Sequence, residues 1–146
     1  MKVFHDVVKV ETPAPFAVID ITERVAEVVG RSGVTEGQVV VTSQHTTCAI
    51  SVNENEARLL DDIEAFFLRL APPDLPYRHN DLHLRENIPP DEPKNAHAHL
   101  IAMLLGNGEA LAVRDGAPVL GRYQSILLAE MDGPRSRRVV VQVTGA

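Results

Sequence analysis

Residues 54–70 constrain this chain more than any other stretch. Leu59, Leu60, Ile63, Phe66, Phe67 and Leu70 recur at three- and four-residue intervals, which puts them on one face of an α-helix. Pro72 and Pro73 end it, because proline has no N–H to donate and clashes with the preceding turn. A helix with one apolar face needs a surface to cover. The chain supplies β-branched segments for that purpose, so helix on sheet is the architecture to expect.

Those segments are short. Residues 37–43 are dominated by Val39, Val40 and Val41, which predicts a strand buried on both faces. Residues 3–10 and 48–53 alternate and predict two more strands. Asp20 stands where it can cap a helix in which Ile21, Val25, Val28 and Val29 repeat at helical spacing, ended near Gly30 and Gly33. A further helix is predicted over 96–105, closed by Gly106. Strands are predicted over 109–114, 124–131 and 138–143, with turns at Asp115-Gly116 and at Asp132-Gly133-Pro134. Short turns between these late strands predict an antiparallel meander. The fold class is α+β: antiparallel sheets packed with two to three helices in one domain, 1–146.

Composition excludes several functions. A chain of 146 residues buries roughly 70% of its extended surface without staples. Cys48 is the one cysteine, so no internal disulfide forms, in keeping with a reducing, cytoplasmic setting. No secretory leader and no membrane span is expected. A formal net charge of -6 and the absence of tryptophan argue against nucleic acid as a partner.

The polar motifs carry the chemistry. His45 follows a strand and precedes Thr46 and Thr47, whose hydroxyls can orient an imidazole or bind an oxyanion. His79 sits beside Asp81 in a loop, 71–94, that holds six prolines; structureless loops of that length are commonly functional or mobile. His97 and His99 are two residues apart, so on a helix they point about 200° apart. His99 shares its face with Asn95, and His97 is read as a solvated surface histidine. Three imidazoles, from His45, His79 and His99, with an open fourth position would suit a divalent ion such as zinc. Asn53 and Asn55 flank the start of the long helix, where capping accounts for one asparagine and leaves the other for a ligand. Arg135, Ser136, Arg137 and Arg138 form a basic patch in an acidic chain, suited to phosphate. Arg137 and Arg138 are successive on a strand, so at most one faces a pocket. Glu130 is a base, a fourth ligand or an ion-pair partner for these arginines.

Taken in order, His45-Thr46-Thr47, Asn53-Glu54-Asn55, Tyr77-Arg78-His79, Ala98-His99 with Leu104-Leu105-Gly106, Leu120-Gly121 with Gln124, Glu130, and Gly133 with Ser136-Arg137-Arg138 resemble the YjbQ family, also named secondary thiamine-phosphate synthase. The resemblance runs nearly end to end. It implies an α+β homotrimer with a pocket for a metal or anion, and ligand positions at His45, His79 and His99. It also implies a reaction joining a pyrimidine pyrophosphate to a thiazole phosphate, giving thiamine phosphate and pyrophosphate as a secondary activity. On that reading His45, Glu130 and Arg137 act in catalysis, and Thr46, Thr47, Asn53, Asn55, Gln124, Ser136 and Arg138 hold a small phosphorylated substrate. The chain departs from the family pattern at Arg122-Tyr123, where Thr-Trp is common, and at Ile101 and Met103, where lysine and serine are common. The alternatives are a metal-dependent hydrolase of a small phosphate or ester, and a non-catalytic ligand-binding trimer.

Overall fold

The computed structural model describes residues 1–146. Eight strands and three α-helices follow in the order β1 (Lys2–Glu11), β2 (Ala17–Asp20), α1 (Thr22–Ser32), β3 (Glu36–Ser43), β4 (Cys48–Asn53), α2 (Ala57–Leu70), α3 (Ala96–Leu105), β5 (Gly108–Arg114), β6 (Ala117–Pro118), β7 (Ser125–Glu130) and β8 (Ser136–Gly145). Every pairing is antiparallel. One sheet runs β1-β8-β3-β5-β6 and the other β2-β7-β4. The α+β class therefore holds.

The period of two along each strand builds the layers. Val39 and Val41 of β3, Val139, Val141 and Val143 of β8, and Val8 and Val10 of β1 point inward and meet Cys48, Ile50, Ile126 and Leu128 of the second sheet. Val25, Val28 and Val29 of α1 complete this core. Ala49 and Ala129 point the other way and form a smaller core with Ala98, Ile101 and Ala102 of α3. The three-stranded sheet is thus covered on both faces. The five-stranded sheet is not: Val40 is only half-buried, so β3 has one buried face instead of the two its run of valines suggested.

The meander does not form. Asp115 and Gly116 make the predicted tight turn with positive φ at both residues (51° and 75°), but the returning strand β6 is only two residues long. β7 then crosses to the other sheet, and β8 returns to lie between β1 and β3. Short turns do not reveal which sheet a strand joins. Strand β2, whose four residues are too few for a clear alternation, was not anticipated.

Helix α1 begins where Asp20 Oδ1 accepts the Thr22 N–H at 2.9 Å, and it closes at Gly33 in the left-handed conformation, φ 67°. Helix α2 starts three residues later than its apolar pattern, capped by Glu56, which accepts the Leu59 N–H at 2.6 Å. No residue of α2 is fully buried. Its apolar stripe lies only partly on the chain. The 71–94 loop is not structureless: it contains two 3-10 turns, Arg78–Asn80 and Leu82–Leu84. No helix is long and apolar enough to cross a membrane.

Candidate functional site

The segment between β3 and β4 is shaped by its own hydroxyls. Ser43 Oγ accepts the His45 N–H at 3.0 Å, which turns the chain out of the sheet. The Arg138 carbonyl still accepts the Gln44 N–H, at 3.3 Å. At the next ladder position the His45 side chain replaces the missing backbone acceptor: its Nε2 accepts the Arg138 N–H at 2.9 Å. Burial, and next the nearby Arg137 charge, push the His45 pKa below its ordinary value of 6.5.

Beneath this loop lies a buried ion pair. Arg137 is 3% exposed and Glu130 0%. Arg137 donates from Nε to Glu130 Oε2 at 2.7 Å and from Nη2 to Oε1 at 2.5 Å. Nη2 also reaches Thr47 Oγ1 at 2.8 Å. Glu130 additionally accepts the Thr12 hydroxyl at 2.9 Å and the Asp132 N–H at 2.8 Å. Both carboxylate oxygens are therefore occupied, as burial of a charge requires. Burial works against the Arg137 charge, but the bond to Glu130 outweighs it and raises the pKa. Of the roles open to Glu130, the geometry is that of the ion-pair partner.

Above the pair is a polar cavity of about 590 Å³. Gln44, His45, Thr46 and Thr47 line it from the β3–β4 loop, and Asn95 and His99 from α3. Asp91 and Glu92 enter from the proline-rich loop, and Asp132, Arg135 and Arg137 from the end of β7 through the start of β8. A second hollow of about 450 Å³ shares His45 and His99 with the first and adds Cys48 and Met103. Ile101 is instead buried in the smaller core. Charges in the first cavity are largely matched. Arg135 donates to Asp132 Oδ2 at 3.0 Å, and Arg85 pairs with Glu92 at 3.4 Å. Asp91 has no ion-pair partner.

Helix α3 behaves as its spacing requires. His99 and Asn95 line the cavity, while His97 borders a different one with Phe16, Glu64 and Lys94. His97 is not solvated as expected: it is half-buried, its Nδ1 has no partner, and burial lowers its pKa. The rings of His79 and His99 meet edge to face with centroids 4.7 Å apart. The 71–94 loop is held there because Asn80 Oδ1 accepts the Ala96 N–H at 3.1 Å and Arg85 donates to the His79 carbonyl at 3.2 Å.

The expected set of three imidazoles is not assembled in this conformation. His79 and His99 touch and His45 shares the cavity with His99, yet no three His, Cys, Asp or Glu side chains are grouped to hold an ion. His79 Nε2 is buried and unpartnered, whereas His45 Nε2 is already bonded. The donor set does not fit a three-histidine centre.

Of the residues expected to hold substrate, Thr46 and Thr47 are at the cavity, although Thr47 is committed to Arg137. The others are not brought to it. Asn53 Oδ1 accepts the Glu54 N–H, Asn55 donates to Asp20, Gln124 accepts the Gly121 N–H, and Ser136 donates to Glu11. Arg138 points outward and reaches Gln44 at 3.3 Å. The residues that sequence reasoning missed are Asp91, Glu92, Asp132 and, as a cavity arginine, Arg135. Arg135 lay within the basic patch, but strand alternation drew attention to its neighbours. The acids stood in loop and turn, where they read as solvated.

This fold and polar cavity define an α+β protein with a site for a small polar ligand. The chain belongs to the family described as UPF0047 protein YjbQ-like, whose model matches residues 6–146. It is 41% identical to a UPF0047 protein of Methanothermobacter thermautotrophicus over 145 residues, covering 99% of this chain and 94% of that protein. It is 29% identical to the UPF0047 protein YugU of Bacillus subtilis over 138 residues, covering 94% and 96%. Among solved structures it is similar to a YbjQ-like protein of unknown function from Sulfolobus solfataricus, with TM-score 0.90 and 36% identity over 99% of both chains. A Clostridium acetobutylicum member of the family matches with TM-score 0.84 and 32% identity, covering 95% of this chain and 99% of that one.

Proposed function

We propose that the cavity binds a small phosphorylated molecule and that the chain is a group-transfer enzyme acting on phosphorylated heterocycles, with thiamine phosphate formation as a secondary activity. The observation that carries this reading is the mixed lining of the 590 Å³ cavity. His45, Thr46 and Arg135 can offer donors to an anionic oxygen, and Asp91, Glu92 and Asp132 can offer acceptors to ring amino groups. A phosphate alone would meet those carboxylates unfavourably. A molecule with an anionic end and a donor-rich end would satisfy both.

In the transfer, the thiazole ring nitrogen forms a bond to the pyrimidine's carbon as the bond from that carbon to pyrophosphate breaks. Negative charge grows on the departing oxygen, and fixed donors aimed at it supply the main stabilisation. Arg135 is the free guanidinium for that task, since Arg137 is held by Glu130. Because the imidazoles are not grouped as an ion centre, no step is assigned to a metal. The exposed apolar side chains of α2 and α3 further support the homotrimer that the family resemblance implies.

The test is product analysis. Protein incubated with pyrimidine pyrophosphate and thiazole phosphate should form thiamine phosphate and pyrophosphate, and Arg135→Ala should lose most of that rate. Release of inorganic phosphate from either compound alone would favour the hydrolase. Tight binding of both with no product would favour a binding protein.

A further inference from the structure

His45 has a fixed role that the three-imidazole arrangement would deny it. A neutral imidazole has one N–H and one lone pair, and the bond made by one nitrogen decides which is which. Here the partner is a backbone amide, which can only donate. Arg138 N lies 2.9 Å from His45 Nε2, so Nε2 carries the lone pair and Nδ1 carries the proton. Ligating an ion through Nδ1 would move the proton to Nε2, facing the Arg138 N–H. Ligating through Nε2 would strip a strand amide of its acceptor. Nδ1 has no partner in the chain and is not among the buried unpartnered atoms, which leaves it open on a side chain that lines the cavity.

We propose that the Arg138 amide holds His45 as the Nδ1–H tautomer and that His45 serves the cavity as a hydrogen-bond donor to an anionic oxygen of the ligand, not as a metal ligand. The ligand's identity as a phosphorylated compound rests on the function proposed above; the tautomer does not. Any divalent ion is then left to the other side of the cavity, where His79 and His99 meet.

Long-range proton–nitrogen correlation on the full ¹⁵N-labelled chain reads the tautomer directly. Nε2 should resonate as the unprotonated nitrogen and Nδ1 as the protonated one, the reverse of free histidine. The opposite pattern overturns the proposal whether or not the chain binds phosphates. Calorimetric titration with pyrophosphate reads the donor. An asparagine amide can stand near Nδ1, so His45→Asn should bind within a few-fold of the parent. His45→Ala should bind roughly tenfold to a hundredfold more weakly, the range for a lost bond to a charged group. Equal weakening in both variants overturns the donor role. Zinc titration completes the test: bound zinc per chain should be the same in the parent and in His45→Ala, and loss of zinc in the variant would make His45 a ligand after all. If the parent binds no pyrophosphate or thiazole phosphate, the proposed function and the donor role fail together, while the spectrum still decides the tautomer.

Discussion

Arg137 and Glu130 show how strongly burial decides a residue's work. From the basic patch, either Arg137 or Arg138 could have gripped a phosphate. Strand alternation sends Arg137 inward and Arg138 outward, and the inward one is claimed by Glu130. Removing one partner leaves a buried charge without compensation, which costs about 3–5 kcal/mol. Arg137→Ala is therefore expected to lower the free energy of unfolding in urea by about that amount, and Arg138→Ala by less than about 0.5 kcal/mol. Similar small losses in both would show that the pair is not buried in solution. The histidines give a second expectation, in pH. His45, His97 and His99 all have pKa values lowered from 6.5, first by burial. For His99 the His79 charge adds to the lowering; for His97 Asp132 opposes it. A folded pKa below the unfolded one means that the unfolded chain binds protons first as pH falls. Stability is thus fully present above about pH 6.5 and declines below it, by up to about 1.4 kcal/mol per pH unit for each excess proton. Urea midpoints between pH 7.5 and 5 should fall, and His97→Gln should flatten the decline. A midpoint constant over that range would contradict the buried environments.

The turn between β7 and β8 sets the site more than any single side chain in it. It supplies Asp132 and Arg135, and Arg135 bonds back to the Asp132 carbonyl at 2.8 Å. Gly133 allows it to lie flat: a Cβ there would stand 2.2 Å from the Ala14 carbonyl oxygen and 2.9 Å from Glu130 Cγ. Backbone cannot retreat as a side-chain tip can. Gly133→Ala should cost about 1–3 kcal/mol or more and displace Asp132 and Arg135 together, so thermal melts and pyrophosphate titrations should worsen in parallel. A variant as stable as the parent would mean that the turn has room to shift. Comparison with the sequence follows from such local cases. Helix α3 and strand β4 were read at their full extent, because Gly106 and strict alternation mark their ends. The opposite faces of His97 and His99 followed from periodicity alone. What stayed hidden depends on distant partners. Nothing in residues 125–130 says that β7 joins β2 and β4 while β8 inserts between β1 and β3. Nothing in the Gln44-His45 dipeptide announces that an Arg138 amide, 93 positions away, fixes the imidazole.

The assembled chain leaves more surface than a monomer of its size should. A folded monomer of 16.0 kDa exposes about 7400 Å² by the usual scaling; this chain exposes 8570 Å². The apolar part of that surface is concentrated on two helices. Phe66 and Leu70 of α2 are 51% and 56% exposed, and Leu100 and Leu104 of α3 are 49% and 64% exposed. Leu70, Leu100 and Leu104 border one shallow hollow with Ala71 and Ile101. The pattern that marked 54–70 as an amphipathic helix thus remains largely unsatisfied within one chain. A stable interface covers roughly 800 Å² per partner, which this helical face helps to provide, and the proposed homotrimer would bury it. Light scattering during gel filtration should give three times the chain mass at micromolar concentration. The double variant Leu100→Glu, Leu104→Glu should elute as a monomer, because two carboxylates cannot be desolvated in an apolar interface without partners. Both positions are exposed in the single chain, so its secondary structure by circular dichroism should stay as in the parent. A parent that is monomeric would remove the trimer. A double variant that remains trimeric would move the interface to the other open surface, the outer face of the five-stranded sheet around Val3, Val7, Val40 and Val140.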